Sequence, residues 1–297
     1  MNTVQDVVSL AASGQIRIAS HGAYAEGFRR LRKNKIAVIS LIIFLLICLA
    51  CIFAPFLTKW DYTFIDASEM RQPPSSEHIL GTDSLGRDLY TRLLYGGRTT
   101  LKIALVSTAL AAVFGGTIGI AAGYWGGSAD LIIIELLDMM ATLPVFILII
   151  IVESILGWGR GYFMYALAIA ATPQFARITR DTVMDVMGCE YIEASMALGS
   201  GHLSIIFHHV LHNIAPSLIT RCASGVTDAL LYCTIMGYLG IGINPPTPEW
   251  GALALIGKLY MRSNPHMMVI TCAVIIICVL SVSLFSDGLR DALDPKE

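Results

Sequence analysis

The chain has 297 residues, 55% of them hydrophobic and only 14% charged, with a formal net charge of −2. So apolar a balance departs from soluble proteins and asks for an apolar solvent around much of the surface, which places the chain in a bilayer. The near-zero charge gives no reason to expect nucleic acid or a polyacidic ligand as partner.

In chain order, about 35 mostly polar residues come first, so the apolar run that follows is expected to stay in the mature protein rather than act as a secretory signal. Runs of roughly 20 apolar residues can be read at 36–53, 101–124, 131–156, 162–178, 215–243 and 267–285. Lipid satisfies no backbone N–H or C=O, and these runs lack strand alternation, so each is predicted to be a transmembrane helix. The expected fold class is therefore an all-α integral membrane protein with six transmembrane helices. Arg29, Arg30, Arg32, Lys33 and Lys35 abut the first run and set the N-terminus in the cytoplasm. An even number of spans returns the C-terminus, with Arg290 and Lys296, to the same side. Arg87, Arg92 and Arg98 in the external loop weaken this bias without reversing it. The organisation is then a cytoplasmic segment at 1–35, one permeating unit at 36–290 and a tail at 291–297. No internal repeat is visible.

Six of the seven cysteines fall inside the apolar runs, where free cysteine packs as a small hydrophobe. Cys48 and Cys51 have the spacing of a redox or zinc pair but lack polar support and further ligands, so neither a disulfide nor a metal is expected. Gly115, Gly119 and Gly123 share one face of the second run and predict close approach by another helix. Glu135, Asp138 and Glu153 lie in or near the third run, where an ionisable group counts as functional by default. A proton relay is one reading; access to interface water near the two ends of the helix is the other.

Two polar segments exceed a tight turn. The first, an external loop at 55–100, is Pro-rich around Pro73 and Pro74 and is expected to be ordered but not helical. It contains Gly81-Thr82-Asp83-Ser84-Leu85-Gly86-Arg87-Asp88. With no Lys-Ser or Lys-Thr and no preceding strand, this is not a phosphate loop, and none exists elsewhere in the chain. Asp83, Arg87 and Asp88 are expected to fix the loop's shape by mutual hydrogen bonds and to offer a surface for a docking protein.

The second, at 179–215, carries the mechanism. Glu190 and Glu193 open a short helix that closes on Gly199, as the helix dipole and a left-handed cap favour. A second short helix is predicted next, with Leu203, Ile206, Phe207, Val210 and Leu211 as one apolar face and Pro216 opening the following span. Membrane-surface helices usually carry Lys and Arg on the polar face. This segment has Glu190, Glu193 and the histidines 202, 208, 209 and 212 instead, so a protein groove is the better partner. His208 and His212 stand at a metal-holding spacing, but nothing completes a site.

At Glu193-Ala194-Ser195, Gly199 and Pro216 the chain resembles the permease subunits of bacterial ATP-binding-cassette importers, with serine in place of the second alanine of their signature. Three further blocks narrow the resemblance to the C-type permeases of the peptide and nickel branch. These are the 81–88 motif, Leu239-Gly240-Ile241-Gly242 with Pro245 to Gly251, and Asp287-Gly288-Leu289-Arg290-Asp291-Ala292-Leu293-Asp294-Pro295. Departures are local: His212 stands where Leu-Pro-Asn is common, and 263–266 lacks the usual aromatic and proline pattern.

The resemblance implies a type I importer permease in the bacterial cytoplasmic membrane, paired with a second homologous permease. It implies two ABC ATPase subunits that use ATP and Mg, no cofactor and no catalysis in this chain, and an extracytoplasmic solute-binding protein. It also implies that Glu190, Glu193, Ala194, Ser195, Gly199, Leu203 and Phe207 couple the chain to the ATPase, and that Gly81, Thr82, Asp83, Gly86, Arg87 and Asp88 form the external motif. Peptides are the first expectation for cargo and nickel or a nickel chelate the next. Rivals from other classes are an ion-coupled secondary transporter, disfavoured by the missing repeat, and a structural scaffold.

Overall fold

The computed structural model describes residues 22–157 and 160–293. Helices α1 (Gly22–Lys33) and α2 (Lys35–Ile52) meet at Asn34, whose side chain accepts the Ala37 N–H and caps α2. Apolar on all sides, α2 exposes Ile39, Ile42, Leu45, Leu46 and Leu49, a surface suited to lipid. After a short α3 (Ala54–Leu57) and a 3₁₀ turn at Ala67–Glu69, α4 runs from Leu89 to Trp125 over 37 residues. The external segment is thus helical from Leu89 onward, earlier than its sequence pattern suggested. Asp88 is the reason: its carboxylate accepts the Thr91 N–H at 2.7 Å and starts the helix there.

The run at 131–156 does not form one continuous helix. It divides into α5 (Gly127–Thr142) and α6 (Val145–Leu156), bent by 101°. Pro144 lacks an N–H, and its ring forces Leu143 into extended backbone, so a helix cannot pass. Helix α7 follows at Arg160–Met187, then α8 at Glu190–Ala197 and α9 at His202–Ser204. A π-helical stretch at Ile205–Val210 continues into α10 (Leu211–Tyr238), and α11 (Trp250–Leu259) and α12 (Pro265–Leu293) complete the chain. Among the described residues there is no strand, only an isolated bridge between Thr82 and Asp88.

By length and composition α2, α4 and α12 can each cross a membrane, and the bent α5–α6 pair makes a fourth. Helices α7 and α10 have 28 residues each, about 42 Å of rise. They carry Arg177, Arg180, Asp181, Arg221 and Asp228, so they have the reach of spans with one face that lipid would not tolerate.

The predicted glycine seam joins α4 to α7. A Cβ at Gly115 would lie 2.5 Å from that of Phe175, one at Gly119 2.7 Å from that of Thr179, and one at Gly123 2.8 Å from the Arg180 carbonyl oxygen. Backbones therefore touch along three turns. The bundle has two distinct ends. At one, Gly97 beside Cys51 joins α4 to the end of α2, and Asn264 donates to the Arg71 carbonyl of the loop. At the other, Gly27 of α1 meets Leu293, Gly288 meets Ala37, and Tyr124 meets His202.

Candidate functional site

The end carrying Tyr124 is built around a helical elbow. Glu190 and Glu193 sit exposed in the first turn of α8. At its end Gly199 takes φ +86° and donates to the Met196 carbonyl at 2.9 Å, while Ser200 donates to the Ser195 carbonyl at 3.1 Å. These two bonds make a Schellman cap, which needs a left-handed residue at that place. Ser195 adds a bond of its own, its hydroxyl donating to that of Ser200 at 2.9 Å, so serine in place of alanine reinforces the turn.

The second short helix does not stand alone, and only Val210 and Ile206 of its predicted apolar face pack inward. Ile205, Val210 and Ile214 are buried with Ile192 against Tyr124, Val183 and Val186. Leu203 and Phe207 point outward at 71% and 64% exposure, beside Leu198 at 88%. The π-helical bonding, seen in Leu211 N–H donating to the Ile206 carbonyl, brings residues five apart into register. That register aligns Ile205 with Val210 and turns Leu203 and Phe207 out. Pro216 lies inside α10 rather than at its start.

Polar bonds fasten the elbow's inner side. The Tyr124 hydroxyl is 2.7 Å from Nδ1 of His202, and Asn213 donates both to the Tyr191 hydroxyl (3.1 Å) and to the His209 carbonyl (2.7 Å). Among the described residues no group of three or more His, Cys, Asp or Glu could hold a metal. His208 is exposed, with Nδ1 3.2 Å from the Ser204 carbonyl.

The opposite end carries a clasp. Asp83 accepts the Nε of Arg87 at 2.8 Å, faces that of Arg92 at 3.3 Å, and accepts the N–H groups of Leu85 and Arg87. Thr82 donates to the Glu69 carbonyl at 2.5 Å and accepts the Gln72 N–H at 2.8 Å. Gly81 and Gly86 take φ +79° and +75°; a side chain at Gly86 would run into the Asp66 carbonyl. Asp88 does not bond Arg87. Besides capping α4, it holds Nδ1 of His78 at 2.9 Å, whose Nε2 reaches Glu69 at 2.7 Å. Burial alone would lower the His78 pKa, but hydrogen bonds and charge from Asp88 and Glu69 prevail and raise it. Glu69 and His78 carry no motif spacing, so only folding reveals them.

Beside the clasp, Glu249 caps α11 by accepting the N–H groups of Gly251 and Ala252 at 2.7 and 2.9 Å, and Thr100 donates to it at 3.3 Å. Trp250, 1% exposed, donates its indole N–H to the Leu93 carbonyl at 2.9 Å. The Pro-Glu-Trp-Gly block thus wedges α11 between α4 and α10, as the contact of Gly251 with Thr234 requires. Of the acidic residues in the broken span, Asp138 pairs with Arg177, and Glu135 is exposed. Asp130, which sequence reasoning missed, takes a bidentate pair from Arg180 at 2.7 and 2.5 Å. Glu153 is fully buried, and neither of its carboxylate oxygens has a partner among the described residues, so it does not reach interface water.

A lipid-facing helical bundle with a glycine-capped elbow at one end has the fold of the membrane components of ABC transporters. The chain is similar to the methionine ABC transporter MetNI in an inward-facing conformation, with a TM-score of 0.56 at 20% identity over 68% of this chain and 96% of that one. An amino acid ABC transporter gives 0.52 at 15% identity, over 67% and 92%. Residues 115–297 match the family described as binding-protein-dependent transport system inner membrane component, and 24–74 match the N-terminal TM domain of oligopeptide transport permease C. The chain is 38% identical to the dipeptide transport system permease protein DppC of Alkalihalophilus pseudofirmus, over 92% of this chain and 90% of that one. It is 35% identical to DppC of Haemophilus influenzae (89% and 92%) and 34% to the glutathione transport system permease protein GsiD of Pectobacterium atrosepticum (92% and 91%). The chain therefore belongs to the ABC importer permeases, in the C-type branch of the peptide systems.

Proposed function

We propose that this chain is one of two homologous permease subunits of a peptide importer in the bacterial cytoplasmic membrane. It crosses six times, by α2, α4, α5–α6, α7, α10 and α12, with both termini and the elbow in the cytoplasm. Placement of α1, the end of α12 and the elbow at one end of the bundle supports that topology, as do the basic residues of α1.

Two ABC ATPase subunits supply the energy by using ATP and Mg, and this chain holds no cofactor. Glu190, Glu193, Ala194, Ser195, Gly199, Leu203 and Phe207 form the surface they grip. The observation that carries this reading is the elbow's two-sidedness: its inner face is fastened to α4 and α7, while Leu198, Leu203 and Phe207 stand free. A push on the outer face then moves α7 and α10 as a body. On the other side, the clasp from Gly81 to Asp88 presents a fixed surface to a solute-binding protein. Peptide cargo is supported by the dipeptide and glutathione permeases among the relatives.

The test is a Leu203→Asp/Phe207→Asp double variant, co-expressed with the other subunits. Loss of the ATPase from the purified complex, with the permease still in the membrane, is the expected result. Retained ATPase and normal ATP-dependent uptake of dialanine would refute the docking role.

A further inference from the structure

One face of α10 carries Ser217, Arg221, Ser224 and Asp228 at spacings of four, three and four, which stacks them in a single polar stripe. Arg221 donates to Asp228 at 3.1 Å and to the Ser224 hydroxyl at 3.2 Å, and also to the Gln174 side-chain oxygen on α7. Its guanidinium lies over the Phe175 ring at 5.0 Å, and its Nε is buried without a partner among the described residues.

Asp228 stands 17 residues into α10, about 25 Å along the helix and so at bilayer depth. Its side chain is nevertheless 39% exposed, against 12% for Arg221, and Gln174 is exposed too. Hydrocarbon would not tolerate that face. A cavity of about 430 Å³ lies on the Arg221 side of the stripe, bordered by Ser217, Arg221, Ser224, Asp287 and Arg290. Arg221 also borders a separate recess of about 20 Å³, lined by Thr108, Gln174, Asp228 and Tyr232, which cargo would have to widen. The larger volume lies in the range of small-molecule sites.

We infer that this stripe is a cargo site for the two charged ends of a short peptide, Arg221 receiving the terminal carboxylate and Asp228 the terminal ammonium. Two helical turns separate the two Cα atoms, about 10.5 Å of rise. With their direct pair opened, side chains on Cα atoms that far apart reach the two ends of a peptide of two or three residues, each about 3.4 Å long. In the structure the two side chains pair with each other, so neither charge is left alone at depth. Cargo replaces one internal pair by two external ones, and ligands lacking either end cannot complete the exchange. The inference rests on the peptide reading above.

The experiment uses the assembled importer with its binding protein in liposomes and compares uptake of dialanine, its C-terminal amide and its N-acetyl form. Because the binding protein is common to all samples, a change in preference between wild type and variant belongs to the permease. Arg221→Gln is expected to raise KM for dialanine by about tenfold to a hundredfold, the worth of a hydrogen bond to a charged group, and to leave KM for the amide unchanged. Asp228→Asn should do the same to dialanine while sparing the N-acetyl form. Should either single variant fail to assemble, the Arg221→Gln/Asp228→Asn pair, which leaves no lone charge, is expected to lose both preferences. Variants that slow all three cargoes equally, or that keep the wild-type preferences, overturn the site. No dialanine uptake by the wild-type importer overturns the peptide reading itself.

Discussion

Gly116 and Gly119 are neighbours on α4 with opposite surroundings, and they separate backbone contact from helix propensity. A Cβ at Gly116 meets nothing within 4 Å. Gly116→Ala therefore gains helix propensity alone, about 1 kcal/mol. A Cβ at Gly119 would overlap the Ala176 carbonyl and stand 2.7 Å from the Thr179 Cβ and 2.9 Å from the Arg180 nitrogen. Two of these three atoms are backbone, so no rotamer change relieves the overlap, and α4 must move away from α7. Overpacking of this kind costs about 1–3 kcal/mol. Set against the propensity gain, Gly119→Ala should lose up to about 2 kcal/mol net. At about 2 °C per kcal/mol for a chain of this size, Gly116→Ala should melt slightly above wild type and Gly119→Ala up to about 4 °C below it. A thiol-reactive dye gives the assay, because Cys51, Cys233 and Cys278 are free and buried and react only on unfolding. Equal shifts for the two variants, or a Gly119→Ala protein more stable than wild type, would refute the close-approach argument.

The clasp should respond to pH through His78. Because Asp88 and Glu69 raise its pKa in the folded loop, its contribution is fully present below the ordinary value of 6.5 and is lost as pH rises through the raised one. Trp60 stacks on this ring at 4.9 Å, so the fluorescence difference between wild type and Trp60→Phe should titrate with a midpoint above 6.5; a lower midpoint contradicts the pairing. Trp250→Ala removes a fully buried ring and the indole bond to the Leu93 carbonyl, for an expected loss of about 3–5 kcal/mol. The thiol-dye melt would show it as a clear drop, and an unchanged melting point would mean that α11 is not held by this wedge. At the elbow, Gly199→Ala has room for its Cβ and suffers only the left-handed backbone, about 1–2 kcal/mol, whereas Gly199→Pro also loses the bond to Met196. ATP-driven uptake should fall modestly in the first and collapse in the second, and equal activity of the two would dismiss the cap as a coupling element.

Much of the bundle was legible because apolar run length is a one-dimensional property fixed by bilayer thickness. The glycine ladder on α4 was readable for a similar reason, since residues four apart share a helix face in any straight helix. Where helices are not regular the reading failed. Pro144 divided a run that composition alone joined, and the π-helical stretch at Ile205–Val210 changed which residues share a face, so Leu203 and Phe207 turn outward while Val210, of the same predicted apolar face, turns in. Their outward position leaves them available to a partner, while Ile205 and Ile214, outside the predicted face, join Val210 in burial.

The sequence by itself determined the membrane solvent, the left-handed cap at Gly199, the glycine seam and the membership signalled by Glu193, Gly199 and the 81–88 motif. Each depends on residues close in the chain, whose spacing is preserved on folding. Tertiary structure alone decided that His78 bridges Glu69 and Asp88, that Glu249 and Trp250 lock α11 against α4, and that Arg221 joins Gln174 on another helix. These groups lie up to 157 residues apart in the chain, and a contact between distant residues leaves no periodic trace in the order of amino acids.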